Sequence, residues 1–479
     1  LRTFLPPVLL PGLLLRLLLR LWVGLPLCWL SPAQAGADAV TPAMAAQADR
    51  LLQSALEKNI AWDVVRSLTT EVGPRLAGTP AEARARRWAV ARLRAMGLDN
   101  PREEPFQVPL WRRGAERAEI LTPFPQPLVV TALGGSTATG PEGVRGTVVS
   151  FPSLDALRAA APGSLAGKVV FIDEPMARSR DGSGYARAVG KRRAAAYLAA
   201  ERGAVAALIR SVGTSSHRFA HAGQMRRVLE EGESGVPTAA LAAPDADQLR
   251  RALGYGEPVQ VSLLLTPRSL PPAASGNVVA EIVGREAPQE IVLVGAHLDS
   301  WDLGTGAVDD GAGVGIVLGA LDVLLRELPR PPRRTIRVVL FGAEEVGLVG
   351  AWAYLQRHAA SLPQHIIGTE SDFGAGDIWR FDSRVGEAQL ATIDAMAALL
   401  RPLGIERGNN AARGGPDMKY LREAGMPVVG LLQDGSDYFD LHHTPDDTLD
   451  KIAPGDLDQN VAAYAAFLYL AAESEAYFR

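Results

Sequence analysis

Cysteine is almost absent. The 479-residue chain has one, Cys28, and it falls in a segment that reads as a leader. The rest of the chain therefore has no disulfide and no thiolate ligand for a metal. Stability must come from a large packed core, which a chain of this length can build. Blocks of like charge are missing too. The formal net charge is −4, with acids and bases interspersed. That argues against nucleic acid as the main partner. No internal repeat is visible.

The first 35 residues are different. "LRTFLPPVLLPGLLLRLLLRLWVGLPLCWLSPAQA" carries Arg2, Arg16 and Arg20, no acid, and a long Leu-rich stretch before Ala33-Gln34-Ala35. This is the pattern of a signal peptide cleaved after Ala35. A secreted or periplasmic protein is expected, with no stable membrane insertion after cleavage. An uncleaved anchor is the alternative, but the interrupting Arg residues fit a peptide better. Leu27 is not the small residue that precedes a lipidated cysteine.

Composition then changes along the chain. Residues 36–126 open with two helical patterns, the second started by Thr79-Pro80 as N-cap and first helical residue. "GPRLAGTP" is the turn-rich link between them. "REEPFQVPLWRRGAER" reads as a solvated loop. Residues 127–270 form a separate unit in which short β-rich runs such as "GKVVFID" and "AVAALIR" alternate with short helices. "LTPRSLPPAASG" marks its far boundary. From 271 to 479 strands and helices alternate. The expected fold is α/β: a mostly parallel central sheet with helices on both faces, made by 36–126 and 271–479, plus the inserted β-rich α/β unit.

In such a sheet, chemistry collects at the carboxyl ends of strands. "IVLVGA" ends in His297, followed by Asp299, Asp302, Asp309 and Asp310. "TIRVVLFGA" ends in Glu344-Glu345. "HIIGTES" ends in Asp372, with Glu370 on the same side of the strand as a competitor. "PVVGLLQDG" leads to "FDLHHTPDDT". Carboxylates and imidazoles at a buried strand end are costly unless a cation joins them. Nitrogen and oxygen donors without sulfur suit Zn²⁺ or a similar divalent ion. The number of candidates suggests two ions roughly 3.5–4 Å apart sharing a carboxylate.

"HLD" followed by "DD", then "AEE", "ESD" and "HHTPDDT", together resemble the co-catalytic dizinc exopeptidases of the zinc aminopeptidase family. Within it, the chain is most similar to a secreted, dipeptide-cleaving carboxypeptidase branch. The resemblance covers nearly all of the chain after the leader. It implies two Zn²⁺ per chain, with His297 and Asp372 on one, Glu345 and His443 on the other, and Asp309 bridging both. It implies Glu344 as general base to a bridging hydroxide, and Asp299 as the residue that orients His297. A cis Asp309–Asp310 peptide, a homodimer and a protease-associated domain at 127–270 are further implications. Many relatives have Tyr immediately before the last histidine; here it is His442, which removes a Tyr-type oxyanion donor.

Candidate substrate contacts are His442, Asp417, Asp302 and Tyr438, with Arg413 as a candidate carboxylate partner. Asp417 lies in "RGGPDMKY", which reads equally as a helix N-terminus. Asp446 and Asp447 read as caps of the next turn. "GAGVG" lacks the third glycine of a dinucleotide loop, and "HRFAH" lacks the Glu of a zincin helix. His221 in that run belongs to a loop of the inserted unit, with leaning over the active site as the alternative. The functional expectation is a secreted exopeptidase acting on short peptides, most of all dipeptides. The alternatives are an aminopeptidase on longer peptides, a receptor-like ectodomain of the same fold, and a glutaminyl cyclase. The complete ligand set argues against the receptor. The inserted unit argues against the cyclase.

Overall fold

A computed structural model describes residues 40–226 and 235–479; the leader and Cys28 lie outside the described residues. Two of the first three helices start at a Thr-Pro pair, the one at Thr79 as expected. Thr41 Oγ1 accepts from the Met44 amide at 3.2 Å and opens Pro42–Glu57. Thr79 does the same for Glu82 at 3.2 Å and opens Pro80–Ala95. In both, proline in the first turn loses no hydrogen bond.

Two eight-stranded sheets organise the chain. At the centre of the first lie Arg334–Phe341, Ala287–His297, His365–Glu370 and Val428–Gln433, in that order. These four are mutually parallel. Antiparallel pairing enters on both sides, through Asp99–Arg112 and Arg268–Ile282 on one and Ile378–Arg384 on the other. Central strands are apolar on both faces, as strands covered twice must be. Val292 and Val294 face a core shared with the helices Ala312–Glu327 and Asp458–Glu473. Leu293 and Phe341 face a second core with Tyr354 and Met418. The α/β fold with helices on both faces is thus as expected. No helix among the described residues is long and apolar enough to cross a membrane.

The second sheet is also α/β. Val144–Phe151, Val169–Ile172, Ala206–Arg210 and Thr238–Leu241 are parallel. The helix Ser183–Glu201 packs with Ile172 and Ile209 on one face; Leu249 of Ala243–Gly254 packs with Leu208 on the other.

Two expectations change. The run around 102–117 is no loop. Most of it is the strand Asp99–Arg112, paired antiparallel with Arg268–Ile282. Asp99, Glu103 and Arg112 are exposed while Glu104, Val108 and Leu110 are buried, so a half-covered edge strand looks like a charged loop when read as composition. The second sheet begins at Glu116 rather than near 127, because Glu116–Thr122 pairs with Gln260–Leu265. The chain leaves the first sheet at Arg112 and returns beside it at Arg268, the two being register partners.

Candidate metal centre

The four parallel strands deliver the polar residues to one edge. His297 is the last residue of its strand. Glu344-Glu345 follow Arg334–Phe341 and Asp372 follows His365–Glu370. Val428–Gln433 leads through the short helix Tyr438–Leu441 to His442-His443. All are buried apart from Glu344, which is partly exposed, and Asp372, which is nearly buried.

Asp309 stands at the middle. His297 Nε2 is 3.0 Å from Asp309 Oδ1 and 3.5 Å from Asp372 Oδ1. On the other side, His443 Nε2 is 3.3 Å from Asp309 Oδ2 and 2.9 Å from Glu345 Oε2. Two groups of potential ligand atoms result, His297/Asp309/Asp372 and Asp309/His442/His443, sharing Asp309. His442 Nε2 lies 3.7 Å from Asp309 Oδ2, its ring stacked on His443 at 3.5 Å. Buried Asp309 Oδ2 and Glu345 Oε1 have no hydrogen-bond donor. Orphaned carboxylate oxygens facing imidazole nitrogens are what a pair of cations would satisfy, so the donors present fit divalent metal.

The electrostatics agree. Burial holds Glu344 well above the usual carboxylate range, and Asp372, Glu345 and Asp299 push the same way. Burial also raises Glu345 and Asp372. Against the opposing effect of burial, Glu345 and Asp309 carry His443 up to about 10. Without another cation, the imidazoles must hold protons to balance the acids.

Supporting groups fix these side chains. Asp299 accepts the Glu344 and Glu345 amides at 3.0 and 3.4 Å, and its carbonyl oxygen accepts from His297 Nδ1 at 2.9 Å. The Asp309–Asp310 peptide is cis. Asp310 accepts from the His297 and Gly313 amides at 3.0 and 3.1 Å. Asp447 caps the turn of Asp309 itself, accepting from Val308 and Asp309 amides at 2.6 and 3.2 Å. Arg75, fully buried, donates to the carbonyls of Leu298, Thr305 and Gly306 at 2.6, 2.7 and 2.9 Å. Ala343 and His443 have φ of 57° and 63°, an uncommon conformation for side-chain-bearing residues that often marks functional sites.

A cavity of about 880 Å³ opens over the cluster. Glu344, Glu345, Asp372, Tyr438, His442 and His443 line it, with Tyr185, Arg192 and Gln224 from the second unit. Glu370 is on its wall and pushed to about 8 by burial and by Asp372. Asp417 is buried behind it, its amide donating to Glu370 Oε2 at 2.8 Å. Neither Asp417 oxygen nor Glu370 Oε1 has a partner. Arg413 lines the same cavity. Asp302 is elsewhere: Arg113 Nε and Nη2 each donate to its carboxylate at 2.9 Å. Nearness in sequence to His297 is no guide there, because the loop turns Asp302 toward the second unit. Sequence reading also passed over Arg75, Arg192 and the roles of Asp310 and Asp447. The acidic pairs at 309–310 and 446–447 were the available signal for the last two; nothing local marks the arginines.

Comparison with known proteins bears on the family. A model of peptidase family M28 matches residues 277–468. Carboxypeptidase Q of Bos taurus is 34% identical over 418 residues, 87% of this chain and 86% of that protein. Aminopeptidase YwaD of Bacillus subtilis is 22% identical, covering 93% of this chain and 91% of that one. Among solved structures, a peptidase M28 precursor of Shewanella amazonensis is 49% identical with a TM-score of 0.89, covering 91% of this chain and 98% of that one. A zinc aminopeptidase of Bacillus subtilis shares the fold at 21% identity and a TM-score of 0.63, covering 87% and 95%. The chain belongs to peptidase family M28 and is a metallopeptidase.

Proposed function

We propose that this metallopeptidase is an exported exopeptidase that hydrolyses short peptides, dipeptides above all, with two Zn²⁺ per chain. The observation that carries the reading is the pair of ligand groups meeting at Asp309. His297 and Asp372 would hold one ion, Glu345 and His443 the other, and Asp309 both. Bound there, zinc supplies Lewis acidity to the peptide carbonyl and lowers the pKa of the attacking water.

The chain's own residues do the rest. Glu344, beside the ligands and lining the cavity, takes a proton from the water as its oxygen bonds to the carbonyl carbon. It returns that proton to the amide nitrogen as the carbon–nitrogen bond breaks. A raised pKa suits a carboxylate that must both accept and donate. Asp299 holds the Glu344–Glu345 backbone and the His297 ring in register. The cavity also offers a hydrogen-bond acceptor and a guanidinium. Glu370 Oε1 is a partnerless acceptor, and Arg413 lines the same cavity as an exposed residue. A dipeptide, with an ammonium and a carboxylate close together, suits both. Export rests on the leader at 1–35.

The test is Glu344→Gln. It should keep both zinc ions by metal analysis and lose at least about a hundredfold in kcat. Normal turnover would refute the base assignment. A wild-type protein purified without chelator and free of zinc would refute the metal reading.

A further inference from the structure

Three ligands of the cluster stand directly at or just after the ends of central strands, but His443 does not. It ends a loop and one short helix, and the groups that hold this segment belong largely to the second unit. His221 Nδ1 lies 2.8 Å from the His442 carbonyl oxygen, so it carries the proton and donates. The Ala222 amide donates to the His443 carbonyl at 2.9 Å. His443 Nδ1 lies between two groups of the second unit, the Ala222 carbonyl oxygen at 3.2 Å and Arg192 Nη1 at 3.4 Å. Nε2 is aimed at Glu345 and Asp309; with an ion on Nε2 the neutral ring must carry its proton on Nδ1, where the Ala222 carbonyl can accept it.

The grip extends upstream. The Thr214 amide donates to the Phe439 carbonyl at 3.0 Å, and its hydroxyl to Asp440 at 2.7 Å. Arg178 reaches Asp437 and Asp440, and the Gly435 amide donates to the Arg180 carbonyl at 2.9 Å. His221 is itself fixed. It is 3% exposed, and its ring occupies the space that a Cβ on Gly213 would need.

We infer that the second unit is part of the metal centre: His221 is a positioning residue that, with the Ala222 backbone, holds His443 in its left-handed conformation and correct tautomer, and so sets the affinity of the ion bound by Glu345 and His443. The inference rests on the two-zinc reading. It adds that the two ions are unequal, one held by groups of the first unit alone and the other also by a contact between units. Outer groups that orient a metal-bound imidazole typically change affinity by about 10–100-fold.

The test compares wild type, His221→Leu and His221→Asn. Leucine fills the space without a donor; asparagine places an amide N–H near the Nδ1 position. Zinc is withdrawn from the whole protein with a chromophoric chelator, and the Co²⁺-loaded form is followed by its visible absorption. For His221→Leu, one zinc equivalent should bind about 10–100-fold more weakly while the other is unchanged. The cobalt band of the weaker site should change, and His221→Asn should recover most of the affinity. Equal affinities in wild type and His221→Leu would overturn the inference, as would an asparagine variant as weak as leucine. If His221→Leu does not fold, Thr214→Val must still weaken the same equivalent, and an unchanged affinity there counts against the inference. Wild-type stoichiometry reports on the two-zinc reading separately.

Discussion

Asp299 receives two backbone amides on its carboxylate and one imidazole on its carbonyl. Arg75 works in the same way for the adjoining loop, with three carbonyls on one guanidinium. Replacing Arg75 by Leu leaves buried carbonyls without donors, each costing about 1–3 kcal/mol. The expected outcome is a loss of several kcal/mol in chemical denaturation. Lys should not rescue it, because a single ammonium cannot span that fork. A loss below about 1 kcal/mol would show that water replaces the donors. Arg413 gives a prediction of a different kind. Arg413→Ala should raise KM about tenfold or more for free dipeptides and leave amidated ones unaffected. Equal effects on both would remove Arg413 as the carboxylate partner. These residues differ in how readable they were. His297, Glu345 and Asp372 stood out because a charge after an apolar strand is unusual. Arg75 sits in "GPRLAGTP", where an arginine looks like ordinary loop surface, and only the folded chain wraps 298–306 around it.

Elements were legible where one physical pattern dominated. The apolar central strands and the Thr79-Pro80 helix start were of this kind. Asp99–Arg112 was not, since its alternation hides among charges on the open face. A polar cluster behind the sheet was equally hidden. At the start of His365–Glu370, His365 Nε2 meets Tyr354 Oη at 2.9 Å, and Arg337 donates to the same hydroxyl at 3.1 Å. Burial, and then the charge of Arg337, depress His365 to about 4. The unfolded chain then binds the extra proton between about 6.5 and 4. The stability that neutral His365 contributes is complete above that window and is lost as pH falls through it. The loss is on the order of 2–3 kcal/mol. Denaturation midpoints of wild type and His365→Gln, followed from pH 7 to 4, should diverge by that amount. Parallel profiles would mean that His365 is not held neutral.

For the molecule as a whole, the order of strands and helices carried the α/β fold, and the strand ends carried the location of the chemistry. The contribution of the second unit to the His443 segment was not readable. It depends on residues 221–222 meeting 442–443, a contact between distant parts of the chain for which a single sequence has no local signal. "HRFAH" lacks a zinc motif, and the alternative that His221 leans over the active site is the one nearer the structure, since its ring touches the segment that carries a candidate ligand.

The pairing of Arg112 with Arg268 also governs how the chain acquires its shape. The edge hairpin Asp99–Arg112/Arg268–Ile282 can close only when the intervening polypeptide brings its two ends together. An unstructured stretch of that length makes the encounter entropically slow. A folded second sheet turns it into a short local closure. The expected order of assembly is the interrupting unit first and the outer edge of the first sheet afterwards. Leu208→Ala, a cavity in the centre of the second sheet where Leu208 is fully buried, should slow refolding of the Trp111 environment by stopped-flow fluorescence, not merely speed unfolding. An unaltered refolding rate would mean that the arms find one another without that scaffold.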